Sequence, residues 1–390
     1  MSFEKPYEGI RVVDMSQGVA GPYCGMLLAQ HGADVIKVEP AEGDWARSIG
    51  QEYGDYTAFS VTANLGKRSI VMDLKAPGSQ EVMDRMIAES DVFIEGFRPG
   101  VTDRLGYSYD RLSKLNPNLI YVSISGFGQR GPMRERPAMD PLLQAFTGFM
   151  SENLGNDGLP HRTPLVMIDM ATALYAQQAV AAALFAARDT GRGRKIDASL
   201  MEGAAAIQSV RVMDGYLEGP YRVASAPSGA FETQDGWLMM IIVRDREFER
   251  FCKAVGWTDF LTDPRFATNG GRRDHAELLL DAAGRLFASN TTEHWQALLT
   301  DAGVQNEKLQ TYREFVEHPQ TAATETVTWL QQPGAEPRWP MPNVPGLARL
   351  VSGSDQATAP CIGEHTRAIL EESGYDDAAI ERLLEQGVVS

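Results

Sequence analysis

Hydrophobic positions in the first third of the chain fall into short blocks with two alternating spacings. Residues 10–15 (IRVVDM), 34–38 (DVIKV), 69–74 (SIVMDL), 91–94 (DVFI) and 119–125 (LIYVSIS) are compact apolar runs of strand length. Between them, Tyr23–Gln30 has helical spacing, with Gly32 suited to end that helix, and 79–89 places Val82, Met83, Met86 and Ile87 on one helical face. Residues 101–115 also read as helical. Strand and helix alternating in this way predict a parallel sheet with helices on both faces. Further on, 140–149 and 165–188 read as helices, and 196–210 as a strand or another helix. Near residue 225 the texture changes. SAPSGAFETQDGWLMMIIV predicts a hairpin turning at Gln234–Gly236. Amphipathic helices follow at 245–256 and 274–288, and TTEHWQALLTDAG carries a capped helix start. The proline-rich run 333–348 excludes continuous helix and predicts extended, turn-rich chain returning toward the first domain. Two short helices close the pattern.

At 390 residues the chain is too long for one core. The expected division is a large domain begun by 1–224, a small domain at 225–325, and a linker and return segment at 326–390. The net charge of 36 − 52 = −16 argues against bare nucleic acid as a partner. It leaves room for an anionic small ligand at local basic clusters, namely Lys67, Arg68 and Lys75, and Arg98 with Arg104. Cys24, Cys252 and Cys361 match neither a zinc site nor a disulfide framework, so the expectation is a reducing, cytoplasmic setting with no metal. The apolar stretch Ala171–Ala187 reads as a buried helix, too short to span a bilayer, and no membrane partner is expected.

The segment 126–150, GFGQRGPMRERPAMDPLLQAFTGFM, carries the most chemistry. Asp140 precedes Pro141, and Leu142, Leu143, Phe146 and Met150 follow at helical spacing, so on local pattern Asp140 is the N-cap of its own helix. The same geometry serves a nucleophile, because free N–H groups and the helix dipole favour the ionised carboxylate that attack on an acyl group requires. The turn after the first strand has glycines at 18, 21 and 25 and does not match the dinucleotide pattern GxGxxG.

Several long strings resemble the class III CoA-transferases. They are VVDMSQGVAGPYCGMLLAQHGADVIKVEPAEGDWAR (12–47), NLGKRSIVMDLK (64–75), DVFIEGFRPGVTDRLG (91–106), NPNLIYVSISGFGQRGP (116–132) and MDPLLQAFTGFMS (139–151), with shorter matches on to GEHTRAIL (363–370). The resemblance implies an α/β fold with a Rossmann-like large domain, built from the N-terminal half and the C-terminus, and a smaller α+β domain, in an interlocked homodimer. It implies Asp140 as catalytic residue. It implies CoA contacts at Val19, Ala20, Gly96, Phe97, Val101 and Arg104, with Lys37 and Met72 as further contacts. CoA and acyl-CoA are then substrates, with no permanently bound cofactor, and the other partner is a small carboxylic acid. The implied reaction passes CoA from an acyl-CoA to a free acid through aspartyl anhydride and aspartyl-CoA thioester intermediates.

Three departures stand out. Gly96 and Ser125 replace the asparagine of many members and the lysine of formyl-CoA transferase, and the string 302–309 (AGVQNEKL), expected as a loop near the acceptor acid, lacks the usual glycines and prolines. The rival within the superfamily is an α-methylacyl-CoA racemase, which needs an acid–base pair. Asp169 matches an acid of the racemases, but Met139 stands where they carry histidine. Glu202 and His31 have no assigned role. A CoA-binding protein without catalysis is the remaining alternative.

Overall fold

The computed structural model describes residues 5–155, 158–219 and 224–390. Its chain divides into two compact units, Met1–Tyr216 with Ala322–Ser390, and Leu217–Thr321.

The first unit is organised by six strands: β1 (Arg11–Asp14), β2 (Asp34–Glu39), β3 (Arg68–Val71), β4 (Val92–Glu95), β5 (Ile120–Ser125) and β6 (Lys195–Ser199). They lie in the order β3-β2-β1-β4-β5-β6, and every neighbouring pair is parallel. Val13 pairs with Ile36 on one side and Phe93 on the other, so β1 and β4 are adjacent where the chain reverses its direction of travel across the sheet. In such sheets the crevice beyond the strand C-termini at that reversal is where ligands bind.

The apolar runs are continuous because both faces are covered. On one face Val12, Val35, Ile94, Val122 and Ile196 pack under the helices Ala20–Gln30, Met167–Thr190 and Leu200–Ile207. On the other, Val13, Ile36, Ile70, Phe93 and Tyr121 pack against Ser79–Ala88, Tyr109–Leu115, Thr366–Glu372 and Asp377–Glu385. Hence a mixed α/β class is observed, as the alternation of spacings predicts.

Several local expectations are revised. The span 101–115 is two helices, Val101–Arg104 and Tyr109–Leu115, because Gly106 turns at φ 86° and the Ser108 hydroxyl caps the second helix. The ambiguous 196–210 is β6 followed directly by the helix Leu200–Ile207, which Ser199 caps through the Glu202 amide. The helix at 165–188 is Met167–Thr190, 24 residues, which is long and apolar enough to cross a membrane by length and composition. The expectation that it is too short therefore fails. What places the helix is its buried face, where Ala173, Ala176, Val180 and Ala183 join the core beneath the sheet.

The proline-rich segment holds a strand. β10 (Val327–Gln331) and β11 (Arg338–Pro342) form an antiparallel hairpin, and prolines are tolerated in β11 because a two-stranded ribbon consists only of edges. Leu330, Ala335 and Met341 then pack against Met26, Leu27, Tyr56 and Val61.

The second unit has an antiparallel sheet of β7 (Gly229–Glu232), β8 (Trp237–Ile241) and β9 (Gln305–Lys308), packed with helices around Phe231, Phe251, Phe287 and Trp295. The β7–β8 hairpin closes where the Thr233 amide donates to Gly236 O. The 302–309 segment is largely not a loop, since Gln305–Lys308 pairs with β8.

Candidate active site

The loop after β1 is held from beneath by buried charges. The Lys67 ammonium donates to Asp14 Oδ2 at 2.7 Å and to Pro22 O at 2.7 Å. Burial alone would raise the Asp14 carboxyl, but Lys67 and Lys37 outweigh it and hold the group below the usual carboxylate range. The Lys37 ammonium donates to Ser16 O and to Asp44 Oδ2, both at 2.5 Å, and Asp44 Oδ1 accepts from the Gly18 amide at 2.9 Å. Residues 16–18 are thus clamped at two points, the Ser16 carbonyl and the Gly18 amide. Gly18 turns at φ 84°, and a Cβ there would lie 2.2 Å from the Trp45 ring, so both conformation and space require glycine.

The loop after β4 starts at Glu95, whose carboxylate accepts from the Phe97 amide at 2.9 Å. Burial pushes Glu95 up to about 7, against the opposing pull of the Ser123 hydroxyl and that amide. Gly96 lies against Ser16, close enough that a Cβ would stand 3.2 Å from the serine Cβ. At the end of β5, Ser125 is buried, and its hydroxyl has no hydrogen-bond partner among the described residues.

Two cavities open on these loops, both within the first unit. The smaller, about 280 Å³, lies over the ends of β1, β4 and β5 and is lined by Val19, Ala20, Gly96, Phe97, Ser125, Met139 and Asp169, among others. The larger, about 1010 Å³, lies over the ends of β1 to β4, and its lining includes Met72, Lys75, Phe97, Val101 and Arg104. Gln17 and Phe97 line both.

Asp140 stands just behind the wall of the smaller cavity and is 2% exposed. It does not cap its own helix. Met139 is the N-cap of Asp140–Phe146, with Asp140 and Pro141 as the first two helical residues. Instead its carboxylate caps the helix Met167–Thr190: Oδ2 accepts from the Ile168 amide at 2.7 Å and the Asp169 amide at 3.2 Å. Oδ1 accepts from Gln144 Nε2 at 2.6 Å, one helical turn on. Asp169 is pushed up to about 7, first by burial and then by the neighbouring Asp140 charge.

Of the residues singled out from sequence, Val19, Ala20, Gly96 and Phe97 come together at the small cavity, and Met72, Phe97, Val101 and Arg104 at the large one. Lys37 lines neither; it is fully buried and its ammonium is engaged with Asp44 and Ser16. The two basic clusters disperse. Lys67 is paired with Asp14, Arg68 with Asp34 and Glu372, and only Lys75 reaches a cavity. Arg98 and Arg104 line different cavities. None of the six histidines lines either one. Sequence reasoning missed Gln17, Trp45, Arg134, Arg136 and Gln144. The last had a signal, its i+4 spacing from Asp140.

Compared with known proteins, residues 7–366 match the model of CoA-transferase family III. The chain is 34% identical to an acyl-CoA transferase of Fusarium pseudograminearum, over 98% of this chain and 88% of that one. It is 35% identical to the acetyl-CoA:oxalate CoA-transferase of Acetobacter aceti, over 82% and 84%. It is 32% identical to the succinyl-CoA:glutarate CoA-transferase of Mus musculus, over 99% and 90%. Among solved structures, Rv3272 from M. tuberculosis superposes with a TM-score of 0.82 at 29% identity, covering 94% of this chain and 99% of that one. A CAIB/BAIF family protein from Brucella suis superposes with a TM-score of 0.81 at 30% identity, covering 95% and 100%. With the match running through the β1 loop, the paired cavities and Asp140, the chain belongs to CoA-transferase family III.

Proposed function

We propose that the protein transfers CoA from an acyl-CoA to a free carboxylic acid with Asp140 as the nucleophile. The observation that carries this reading is the placement of Asp140 at the mouth of the Met167–Thr190 helix, between Met139 and Asp169 of the small cavity wall. CoA lies with its nucleotide in the larger cavity, where Arg104 and Lys75 supply cations for phosphate. Its pantetheine arm passes Phe97, the wall common to both cavities, and the thioester reaches the smaller one. Val19, Ala20 and Gly96 line that route.

Asp140 attacks the thioester carbonyl, and a mixed anhydride forms as CoA thiolate leaves. The thiolate attacks the aspartyl carbonyl, releasing the first acid and leaving an aspartyl-CoA thioester. The acceptor carboxylate attacks this thioester to give a second anhydride, and returning thiolate releases the new acyl-CoA and free Asp140. Each step exchanges bonds of similar energy, so neither ATP nor a permanently bound cofactor takes part. Amides at the helix start are suited to the negative charge that develops on the carbonyl oxygen.

The relatives' names carry acids such as oxalate and glutarate, consistent with a carboxylic acid partner here. We also place the reaction in a reducing cytoplasm, a setting in keeping with three free cysteines. The working form is an interlocked homodimer of two-domain chains. Apolar side chains left exposed on Met167–Thr190 and on the helix Ser209–Glu218, including Phe185, Val210, Met213 and Tyr216, support this reading.

Asp140→Asn tests the assignment. Exchange of labelled CoA between acyl-CoA and free acid should fall by at least about 10³-fold while free CoA still binds. Undiminished exchange overturns the nucleophile. Binding of CoA with no exchange in the unaltered protein favours the non-catalytic alternative, and deuterium entry at the α-carbon without transfer favours the racemase.

A further inference from the structure

Glu95 is a buried carboxyl group that the transfer chemistry leaves unused. It is 2% exposed and ends β4, immediately before the loop that carries Phe97. Among the described residues no cation forms an ion pair with it. Lys195, the cation that bears on it, is exposed and lies over the Tyr121 ring, 5.7 Å from the centroid. Burying a carboxylate without an ion pair is unfavourable, and what offsets the cost here is hydrogen bonding.

The donors stand in series. The Phe97 amide donates to Glu95 Oε2 at 2.9 Å. Ser123, the register partner of Glu95 on β5, is fully buried, and its Oγ accepts from Gln129 Nε2 at 2.7 Å. The Ser123 hydroxyl proton is then left for Glu95, on which it exerts a downward pull. Gln129 lies in the loop beyond β5 and lines neither cavity. A buried chain of hydrogen bonds thus runs from that loop to the backbone of Phe97, the wall common to both cavities. Glycines at 96 and 100 leave the backbone free to turn on either side of that wall.

We propose that Glu95 is a positioning residue for CoA: braced by Ser123 and Gln129, its carboxylate holds the Phe97 backbone in the conformation that admits the pantetheine arm. This rests on the reading above in which CoA passes Phe97. The relay needs an acceptor at its centre. An ionised Glu95 accepts from both sides, whereas a protonated one turns an oxygen into a donor that meets another donor. Burial raises Glu95 to about 7, so the relay is intact above that pH and weakened below it. The ionisable groups facing it are Asp103 on the helix Val101–Arg104, Tyr121 on β5 and Lys195 on β6, with Asp197 of β6 beyond Gln129. Asp14 of β1 pairs with Lys67 on the opposite face of the sheet.

The test measures free CoA binding to the full chain by calorimetry, from about pH 6 to about pH 8.5. Glu95→Gln imitates the protonated carboxyl at every pH. Its Kd should lie about 10-fold above that of the parent near pH 8.5 and within about 2-fold near pH 6. Asp169 and the phosphates of CoA titrate in both proteins and cancel in the ratio. In the exchange assay the loss should appear in KM for the acyl-CoA, with kcat held within about 3-fold. Gln129→Leu should raise Kd by about 3–10-fold near pH 8.5, and adding Ser123→Ala to it should change little more. The parent's Glu95 keeps its proton to a higher pH than in the unfolded chain, so its contribution to stability is lost as pH rises through 7. Near pH 8.5 Glu95→Gln should therefore unfold at no lower a urea concentration than the parent, which separates weaker binding from misfolding.

A Kd ratio that stays constant with pH gives Glu95 a structural role alone and overturns the proposal. So does an unchanged Kd near pH 8.5 in Glu95→Gln or in Gln129→Leu. Phe97→Ala distinguishes this proposal from the reading beneath it. If that variant binds free CoA as the parent does, the route past Phe97 and the proposal fall together. If it binds CoA weakly while Glu95→Gln binds normally, the route stands and the relay falls.

Discussion

Asp140 is held by partners that local pattern does not reveal. Its contact with Gln144 follows from helical spacing, but the amides of Ile168 and Asp169 come from a helix beginning 27 residues later in the chain. A cap read from the sequence near Asp140 was therefore assigned to the wrong helix. Its neighbour Asp169 yields a pH prediction. In the unfolded chain this carboxyl ionises near pH 4; in the native protein it keeps its proton to about 7. Between those values the native state holds a proton that the unfolded state has released. The contribution of Asp169 is complete below pH 4 and is lost as pH rises through 7. Urea unfolding should thus show the unaltered protein losing ground to Asp169→Asn across pH 4–7, by on the order of 2–4 kcal/mol with partial exposure considered. A gap that stays flat with pH would contradict the assignment. Glu95 titrates in the same window in both proteins, so the comparison isolates Asp169.

At the level of elements, the sheet was the most legible part, because each strand buried on both faces writes a run of apolar residues that needs no partner to be recognised. β6 was the exception. KIDAS alternates buried and exposed positions and runs straight into an alanine-rich helix, so strand and helix patterns overlap. The β10–β11 hairpin escaped notice because prolines mask strand propensity. The site was legible in composition and not in assembly. Gly96 and Phe97 stood out by resemblance, but the dispersal of Lys37, Lys67 and Arg68 into buried or surface ion pairs depends on contacts between distant residues. The entry to β6 also gives a test. Gly193 donates its amide to Pro117 O, and a Cβ on it would fall 2.0 Å from the Leu119 carbonyl oxygen. Backbone cannot yield there as a side chain can. Gly193→Ala should lower stability by about 2–3 kcal/mol, read as a lower urea midpoint at unchanged slope. A midpoint equal to that of the parent would show that the strand shifts freely.

At the scale of the whole molecule, the exposed apolar residues on the 167–190 and 209–218 helices bear on assembly. Light scattering in solution should give a mass near twice that of the 42.8 kDa chain, and a single-chain mass would remove the homodimer from the reading. The first unit also has a core completed late. Ile369, Leu370, Ile380, Val388 and Val389 share one apolar layer with Val13, Ile36 and Ile70. On the ribosome, β1 to β3 emerge roughly 300 residues before that layer is whole, a delay of roughly 15–60 s at ordinary rates of synthesis. The second unit, with its own aromatic core, is fully translated during the wait. Part of one face of the nascent sheet, left bare by Ser79–Ala88 and Tyr109–Leu115, thus stays uncovered until the last helices arrive, which makes the half-made chain a natural client for a chaperone that shields apolar surface.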